Sequence, residues 1–160
     1  MKALVVYASQ TGNTKNLAET VCTALPAGTL LCTVDEAPDP AEFDFVALGF
    51  WLKAGKPEPK SAAFLERLKG HNKLFLFASH GARPDSDHAR NAMQQACSLA
   101  EGASIAGTFS CQGEVSTKIL AKAGSKPQPP VWVDDAPQAA GHPDQTDRQN
   151  LLNALQAALG

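Results

Sequence analysis

The sequence predicts an α/β fold in which one parallel sheet is covered by helices on both faces. Short apolar runs alternate with amphipathic segments along the 160 residues, and this alternation is typical of a βαβ chain. Because each crossover between parallel strands must leave the sheet and return to it, the intervening helices cover both faces. The sequence therefore favours a doubly wound sheet of five strands.

Five apolar runs are predicted as the strands. The first run is apolar at almost every position, which is typical of a strand buried on both faces. The third run is expected to be buried in its second half. In chain order the predicted strands are Lys2–Ala8, Leu30–Val34, Phe43–Phe50, Lys73–Ser79 and Ser104–Cys111.

Helices are predicted between and after these runs, where apolar side chains recur at helical spacing. The first helix carries Leu17, Val21 and Leu25 on one stripe, and Pro26 and Gly28 end it. The predicted helices are 14–25, Ala62–Leu68, about Ser86–Leu99, Val115–Ala123 and Thr146–Leu159.

Three other segments are predicted as irregular connections, because prolines and glycines break regular structure. Ala37–Glu42 contains two prolines, and Lys53–Lys60 is expected to be an exposed loop rich in Gly, Pro and Lys. Residues 124–143 contain five prolines, so this stretch is predicted to be an irregular crossing.

Composition and charge narrow the classes of function. Hydrophobic residues make up 44% and charged residues 19% of the chain, which excludes disorder, and the length predicts a single domain over residues 1–160. A net charge of -2 without a basic block argues against nucleic-acid binding. No apolar run approaches the roughly 18 residues that span a bilayer, and the N-terminal run is too short for an export signal. A cytoplasmic location is expected, and no oligomeric state follows from the sequence.

No metal site or redox dithiol is predicted. The cysteines lie far apart and form no Cys-x-x-Cys pair, so they are interpreted as thiols in a reducing compartment. His71 and His142 are interpreted as surface loop residues and His88 as a capping or packing residue, without carboxylates at ligand spacing. The four cysteines are Cys22, Cys32, Cys97 and Cys111.

The loops after the first, third and fourth strands are the expected location of a ligand. In open parallel sheets ligands bind beyond the carboxyl ends of the strands, near the point where the strand order reverses. The loops that follow those strands are residues 9–14, 50–60 and 79–85.

The loop Ser9–Thr14 is predicted to bind a phosphate group. Free N–H groups and the positive end of the helix dipole face an anion at such a position. The hydroxyls of Ser9, Thr11 and Thr14 add hydrogen bonds, and Gly12 allows close approach of the backbone. Neither a Walker A loop nor a dinucleotide fingerprint is present. The alternative is a helix that is simply capped by Thr11 or Asn13.

Four stretches of the chain resemble the flavodoxin family. Tyr7–Ala18 resembles its flavin mononucleotide (FMN) phosphate loop, with the pattern Ser/Thr-x-Thr-Gly-x-Thr. Leu48–Gly55 is similar to a subgroup with Gly-Phe-Trp and a Gly four positions after the Trp, and Gly81–Ala89 to that subgroup's Gly-Ala-x-Pro-Asp-Ser-x-His stretch. Gly107–Gly113 resembles the fifth strand, so the resemblance covers most of residues 2–120.

The resemblance implies a flavodoxin-like fold with strand order 2-1-3-4-5 and one noncovalent FMN. It implies electron transfer to and from redox partner proteins, or a role as the flavin component of a reductase. By position in these motifs, the phosphate is held by Ser9, Gln10, Thr11, Gly12, Asn13 and Thr14, and the ring is flanked by Phe50, Trp51, Leu52, Gly55, Ser79, His80 and Gly81.

Three details of the implied ring site follow from residue chemistry. Trp51 is the best candidate for stacking on the ring, unless it packs in the core or at a subunit contact, and Trp132 is interpreted as structural. A carbonyl of Gly55 or Gly49 is able to turn towards flavin N5 at low steric cost. His80 is expected either to stack on or bond to the flavin, or to face solvent. If protonated at the ring, it would favour the anionic reduced flavin and make the lower potential pH-dependent.

The implied ring loops are basic rather than acidic. The cations in them are Lys53, Lys56, Lys60 and Arg83. Such less negative surroundings disfavour the anionic reduced flavin less than acidic surroundings do. The second reduction potential is therefore expected to be less depressed than in acidic flavodoxins. The alternative is that these cations are solvated and screened by salt.

Two other functions stay open. One is a small FMN-dependent NAD(P)H or quinone reductase, and the other is a cofactor-free interaction domain on the same fold. A phosphorylation-type receiver is disfavoured because the first strand ends in Tyr7-Ala8-Ser9 rather than at an Asp. No nucleophile–base arrangement stands out, so no catalytic residue is assigned.

Overall fold

The predicted apolar runs form one sheet in a computed structural model that describes residues 1–160. The strands are β1 (Ala3–Tyr7), β2 (Leu30–Thr33), β3 (Phe45–Lys53), β4 (Lys56–Pro57), β5 (Leu74–His80) and β6 (Ile105–Gln112). The five long strands are parallel in the order β2-β1-β3-β5-β6, and the short β4 pairs antiparallel with β3. Numbered without β4, this order is 2-1-3-4-5, so the predicted fold and strand order are confirmed.

Five α-helices connect and follow the strands. They are α1 (Asn13–Thr23), α2 (Pro59–Arg67), α3 (Asp87–Leu99), α4 (Thr117–Gly124) and α5 (Gln145–Leu159). The side chains of Glu58, Ser86, Ser116 and Asp144 cap the last four by accepting a first-turn N–H. Helix α1 instead begins at Gly12 without a side-chain cap. None of the helices has the length and apolar character needed to cross a bilayer.

Two apolar clusters form the core, one on each face of the sheet. On one face, α1 and α5 pack against the strands through residues that include Leu17 and Leu151. On the other, α2 and α3 contribute Phe64, Leu65 and Ala96. Helices therefore cover both faces of the sheet, as the alternating sequence pattern predicts.

Strand β3 is longer than predicted and turns back as a hairpin. It continues past Phe50 to Lys53, and the turn to β4 is made by Ala54 (φ 52°) and Gly55 (φ 75°). Two adjacent left-handed residues are what a tight hairpin turn needs. The prediction of one exposed loop over Lys53–Lys60 is therefore wrong, because these residues form the hairpin and the start of α2.

The proline-rich stretch 124–143 is irregular, as predicted, apart from two 3₁₀ turns at Val131–Val133 and Ala136–Ala139. The side-chain amide of Gln112 donates to the carbonyls of Gly81 and Asp135, at 3.3 Å each. These bonds join the proline-rich stretch to the carboxyl ends of β5 and β6.

Two histidines expected at the surface are half-buried instead. The Nε2 atom of His71 lies 3.1 Å from the Pro40 carbonyl oxygen and 3.0 Å from that of Phe43. His142 is hydrogen-bonded through Nδ1 to Asp147. His71 thus joins two loops that are distant in the sequence. His142 ties the end of the proline-rich stretch to the first turn of α5.

Candidate functional site

A groove lies at the carboxyl edge of the sheet, where the loops after β1, β3, β5 and β6 meet. Its empty space, counted out to the open mouth, is about 710 Å³. Every residue that the sequence analysis assigned to a cofactor lines it, apart from Gly12 and Phe50. The remaining lining residues are Ala54, His88, Gly113, Glu114, Val115, Ser116, Ile119 and Trp132.

The loop before α1 presents unpaired amides at one end of the groove. Gly12 directly precedes the helix with a φ of 96°, and no side chain caps the helix there. The Gly12 N–H donates to Ser9 Oγ at 3.1 Å. No acceptor in the protein bonds the N–H groups of Gln10, Thr11 or Asn13. Free amides at an uncapped helix N-terminus favour an anion. The alternative of a helix capped by Thr11 or Asn13 is wrong.

Thr14 contributes to this loop differently from the prediction. Its hydroxyl is buried and lies 3.0 Å from the Ser79 hydroxyl at the end of β5. The side chain therefore joins α1 to the sheet, while the Thr14 N–H has no partner in the protein. The Thr14 hydroxyl, which was predicted to bond an anion, is therefore already hydrogen-bonded to another residue of the protein.

The loop after β6 packs on the amide loop, a contact that the sequence analysis did not predict. The Asn13 side chain donates from Nδ2 to the Glu114 carbonyl at 3.0 Å. A Cβ atom at Gly113 would lie 2.6 Å from Asn13 Nδ2, so a side chain there would displace the Asn13 amide. Asn13 thus joins the amide loop to Gly113 and Glu114, which line the groove.

The hairpin after β3 forms the opposite wall. Trp51 and Leu52 are half-buried and line the groove. A Cβ atom at Gly55 would lie 3.4 Å from His88 Cε1, so His88 meets the hairpin tip and packs as predicted, although inside the groove. The turn at Gly55 therefore sits beside a titratable ring.

Two predictions for the β3 end are wrong. The Phe50 side chain is 0% exposed and belongs to the apolar cluster beneath the sheet, so it has no surface for a ligand. The Gly49 carbonyl accepts the Ala8 N–H at 3.1 Å, and a Cβ there would lie 2.3 Å from Phe77 Cε2. Gly49 is thus fixed within the sheet, and of the two glycines only Gly55 lies at a turn.

His80 is a buried residue at the end of β5 rather than a solvent-facing loop residue. It is 7% exposed, its Nδ1 lies 2.8 Å from the Ala82 carbonyl oxygen, and its Nε2 has no partner. Burial lowers the pKa of His80 to about 4, against the smaller raising effect of the Ala82 bond. The ring is therefore neutral at pH 7, so the effect considered for a protonated imidazole does not apply at that pH.

Trp132 packs against the end of β5, as its structural interpretation predicts, and it also lines the groove. A Cβ atom at Gly81 would lie 3.2 Å from Trp132 Cε3 and 2.8 Å from Val115 Cγ2. The missing side chain at Gly81 is what lets the indole close against the end of β5. Both tryptophans of the chain thus line one groove.

The charges near the groove fall into two groups. Lys60 is bonded to Asp35 at 2.7 Å, which raises the Lys60 pKa, and Arg83 lies 3.8 Å from Asp135. Lys53, at the hairpin, has no carboxylate within salt-bridge distance and is exposed. Positive charge at the groove mouth is therefore unpaired mainly at the hairpin.

No nucleophile is prepared for covalent chemistry. All four cysteines are free, and burial raises the pKa of the Cys111 thiol. His80 offers a neutral ring with its single N–H already bonded to a carbonyl. The groove offers free amides at one end and flat aromatic surface at the other, which suits an anionic ligand with a planar ring.

Comparison with known proteins places the chain among flavodoxins. It matches the family model for the flavodoxin domain over residues 4–156. It is 32% identical over 128 residues to a "flavodoxin-like domain-containing protein BilS" of Clostridioides difficile (strain CD3), which covers 76% of this chain and 72% of that protein. A protein of the same description from Clostridium symbiosum (strain WAL-14163) is 30% identical over 188 aligned positions, covering 99% and 98%.

Solved structures show the same fold. A short-chain flavodoxin associated with a non-canonical PDU bacterial microcompartment superposes with a TM-score of 0.69 at 14% identity, covering 99% of this chain and 97% of that one. A flavoprotein from Lactobacillus acidophilus NCFM, solved in complex with FMN, superposes with a TM-score of 0.57 at 15% identity, covering 68% and 92%. At these identities the likeness shows the architecture alone.

Proposed function

The chain belongs to the flavodoxin family, and from that premise we propose that it binds one FMN noncovalently and passes electrons between redox partner proteins in the cytoplasm. Bound FMN supplies one- and two-electron redox chemistry. The chain's own residues bind the nucleotide, orient its ring and shield it from water.

The observation that carries the proposal is the uncapped start of α1. The N–H groups of Gln10, Thr11, Asn13 and Thr14 have no acceptor within the protein. Unpaired amides at a helix N-terminus are stabilised by a phosphate, which accepts several hydrogen bonds and complements the helix dipole. No cationic side chain lines this end of the groove, so the loop binds the anion through neutral donors.

The other end of the groove suits a planar ring. Trp51 on the hairpin and Trp132 on the proline-rich stretch line the same space. Indole rings cover a large apolar area and exclude water from what they contact. The orphaned Nε2 atom of His80 adds an acceptor among these apolar groups. Amides, indoles and one acceptor therefore fit the phosphate, ring and polar edge of FMN.

Electron transfer is favoured over independent turnover because two of the polar side chains that line the groove are already bonded within the protein. His80 is neutral with its N–H bonded to Ala82, and the Ser79 hydroxyl is paired with Thr14. Proton transfer at pH 7 needs a positioned group with a pKa near that pH. The groove thus supports binding and exposure of a redox ring more directly than reduction of a small molecule.

The test is the uptake of FMN by protein stripped of any bound flavin. We expect one FMN per chain, measured by quenching of flavin fluorescence, and reversible reduction of the bound flavin. Trp132→Leu is expected to weaken binding about tenfold through lost aromatic contact. Val131→Ala, one residue away and 72% exposed, is the control and leaves binding unchanged. Failure of the wild-type chain to take up FMN would reject the proposal, and steady NAD(P)H oxidation without a protein partner would favour the reductase instead.

A further inference from the structure

The protonation of His80 is fixed by its neighbour. Nδ1 lies 2.8 Å from the carbonyl oxygen of Ala82. A carbonyl only accepts hydrogen bonds, so Nδ1 must carry the proton and donate it. A neutral imidazole has a single N–H, and Nε2 is therefore a lone-pair acceptor.

That acceptor has no donor in the protein. Nε2 is buried and unpartnered, although His80 lines the groove. Two donors of this region are used elsewhere, because Gln112 donates to Gly81 and Asp135, and the Ser79 hydroxyl pairs with that of Thr14. Buried acceptors are nearly always paired in folded proteins, so an orphan in a groove wall points to a ligand donor.

The position of His80 places this acceptor at the aromatic end of the groove. It directly precedes Gly81, against which Trp132 packs, and the anion-binding amides lie in a different loop. A ligand bound by its phosphate at Ser9–Thr14 therefore presents its ring, rather than its phosphate, to this end.

We propose that Nε2 of His80 accepts a hydrogen bond from N3–H of the flavin ring and so selects a ring with an unsubstituted imide. The inference rests on the proposed binding of FMN. The oxidised ring carries one N–H, at N3, and its other ring heteroatoms are acceptors that would repel the Nε2 lone pair. Because Nε2 is shielded from solvent in this structure, the bond requires a local shift of the groove wall.

A ligand series tests the assignment by binding alone. Wild-type protein, His80→Phe and His80→Gln are titrated with FMN and with N3-methyl FMN, which lacks the imide proton. We expect His80→Phe to bind FMN about tenfold more weakly than the wild type does. The methyl penalty, which is the Kd for N3-methyl FMN divided by the Kd for FMN, should be about tenfold smaller in His80→Phe than in the wild type. His80→Gln keeps an acceptor and is expected to recover part of the affinity. An equal methyl penalty in wild type and His80→Phe overturns the proposal.

Nitrogen NMR of the wild-type chain gives an answer that no variant can confuse. With ¹⁵N-labelled histidine, we expect Nε2 to be unprotonated without flavin and to move towards the hydrogen-bonded range when FMN is added. The Nδ1 resonance is expected to stay that of a protonated nitrogen. A protonated Nε2, or an Nε2 resonance that FMN leaves unchanged, overturns the proposal even if His80→Phe does not fold.

The two proposals fail in distinguishable ways. Wild-type protein that takes up no FMN rejects the flavin function and this inference with it. Wild-type protein that binds FMN while the His80 resonances and the methyl penalty show no coupling leaves the flavin function intact and rejects only the role of His80.

Discussion

The hydroxyl oxygens of Thr14 and Ser79 lie 3.0 Å apart in the interior, joining the first turn of α1 to the end of β5. Thr14 is 1% and Ser79 3% exposed, so water replaces neither partner. The bond fixes the anion-binding amides relative to the strand that carries His80. The two ends of the groove are therefore coupled through one buried pair.

Removing one of these hydroxyls is expected to cost stability. Thr14→Val keeps the side-chain shape and leaves the Ser79 hydroxyl unpaired, which should lower the free energy of unfolding by about 1–3 kcal/mol. Thr20→Val on the same helix removes an exposed hydroxyl bonded to the Asn16 carbonyl and should change stability by less than about 0.5 kcal/mol. Urea denaturation measures both.

The double variant separates a lost bond from a lost shape. Thr14→Val combined with Ser79→Ala removes both polar partners, so it should be less destabilised than the two single changes add up to. If the effects of the single changes are simply additive, the two hydroxyls are not coupled and the pair does not fix the groove.

Gly12 is predicted to matter for the phosphate of the ligand and not for its ring. Its φ of 96° is a conformation that alanine adopts only with strain, yet nothing lies within 4 Å of a Cβ placed there. Gly12→Ala should therefore distort the amide loop without a clash and weaken FMN binding about tenfold or more. Riboflavin, which lacks the phosphate, should bind both proteins equally.

Gly28 supplies the matched control for that change. It has a φ of 91° and equally open surroundings, but it lies away from the groove. Gly28→Ala should cost a similar amount of stability and leave FMN binding as it is. Equal losses of FMN affinity in Gly12→Ala and Gly28→Ala would show that the effect is general destabilisation.

The sequence was a good guide where local pattern decides structure. The alternation of apolar runs and helices led to the sheet, and the loop Ser9–Thr14 was recognised by hydroxyls and a glycine at a helix start. Both features depend on neighbours in the sequence. The helical stripe of Leu17 and Val21, for instance, faces the core because its spacing matches the helix period.

Long-range contacts account for what the sequence did not reveal. Trp132 was assigned a structural role because it lies among prolines, and only the folded chain brings it against Gly81. The hairpin after β3 was missed because Ala54 holds a left-handed turn position that Asn or Gly usually takes. Phe50 was assigned to the ring by its position in the Gly-Phe-Trp motif, but successive side chains on a strand point to opposite faces.

Stability is expected to fall below pH 6.5 because of His80. Burial lowers its pKa from 6.5 to about 4, so between these values the unfolded chain binds a proton that the folded chain does not. The stabilisation that His80 contributes is therefore fully present above pH 6.5, decreases as the pH falls, and is lost below about pH 4. The difference between these two pKa values, at about 1.4 kcal/mol per pH unit, corresponds to a loss of about 3 kcal/mol in the free energy of unfolding.

His142 provides a contrast of opposite sign. Its hydrogen bond to Asp147 raises its pKa, so its contribution is present below pH 6.5 and is lost as the pH rises through its folded pKa. Urea denaturation at pH 7 and pH 5 should show a smaller acid loss in His80→Phe than in the wild type, and a larger one in His142→Asn. An unchanged acid loss in His80→Phe would mean that His80 is not buried as a neutral ring.

Lys53 is predicted to raise the potential of the second reduction step of bound flavin. It lies exposed at the hairpin beside the lining residues Trp51 and Gly55, without a carboxylate partner. A nearby positive charge stabilises a ring that becomes negative on reduction. Lys53→Glu should therefore lower this potential by on the order of tens of millivolts at low salt, and by less as screening increases.

Lys69→Glu makes the same change in net charge at the opposite edge of the sheet, before β5, and should shift the potential much less. The measurement is a spectroscopic redox titration of both variants at two salt concentrations. Equal shifts in the two variants would show that only the total charge of the protein matters. No shift in either variant would show that Lys53 is fully screened by solvent.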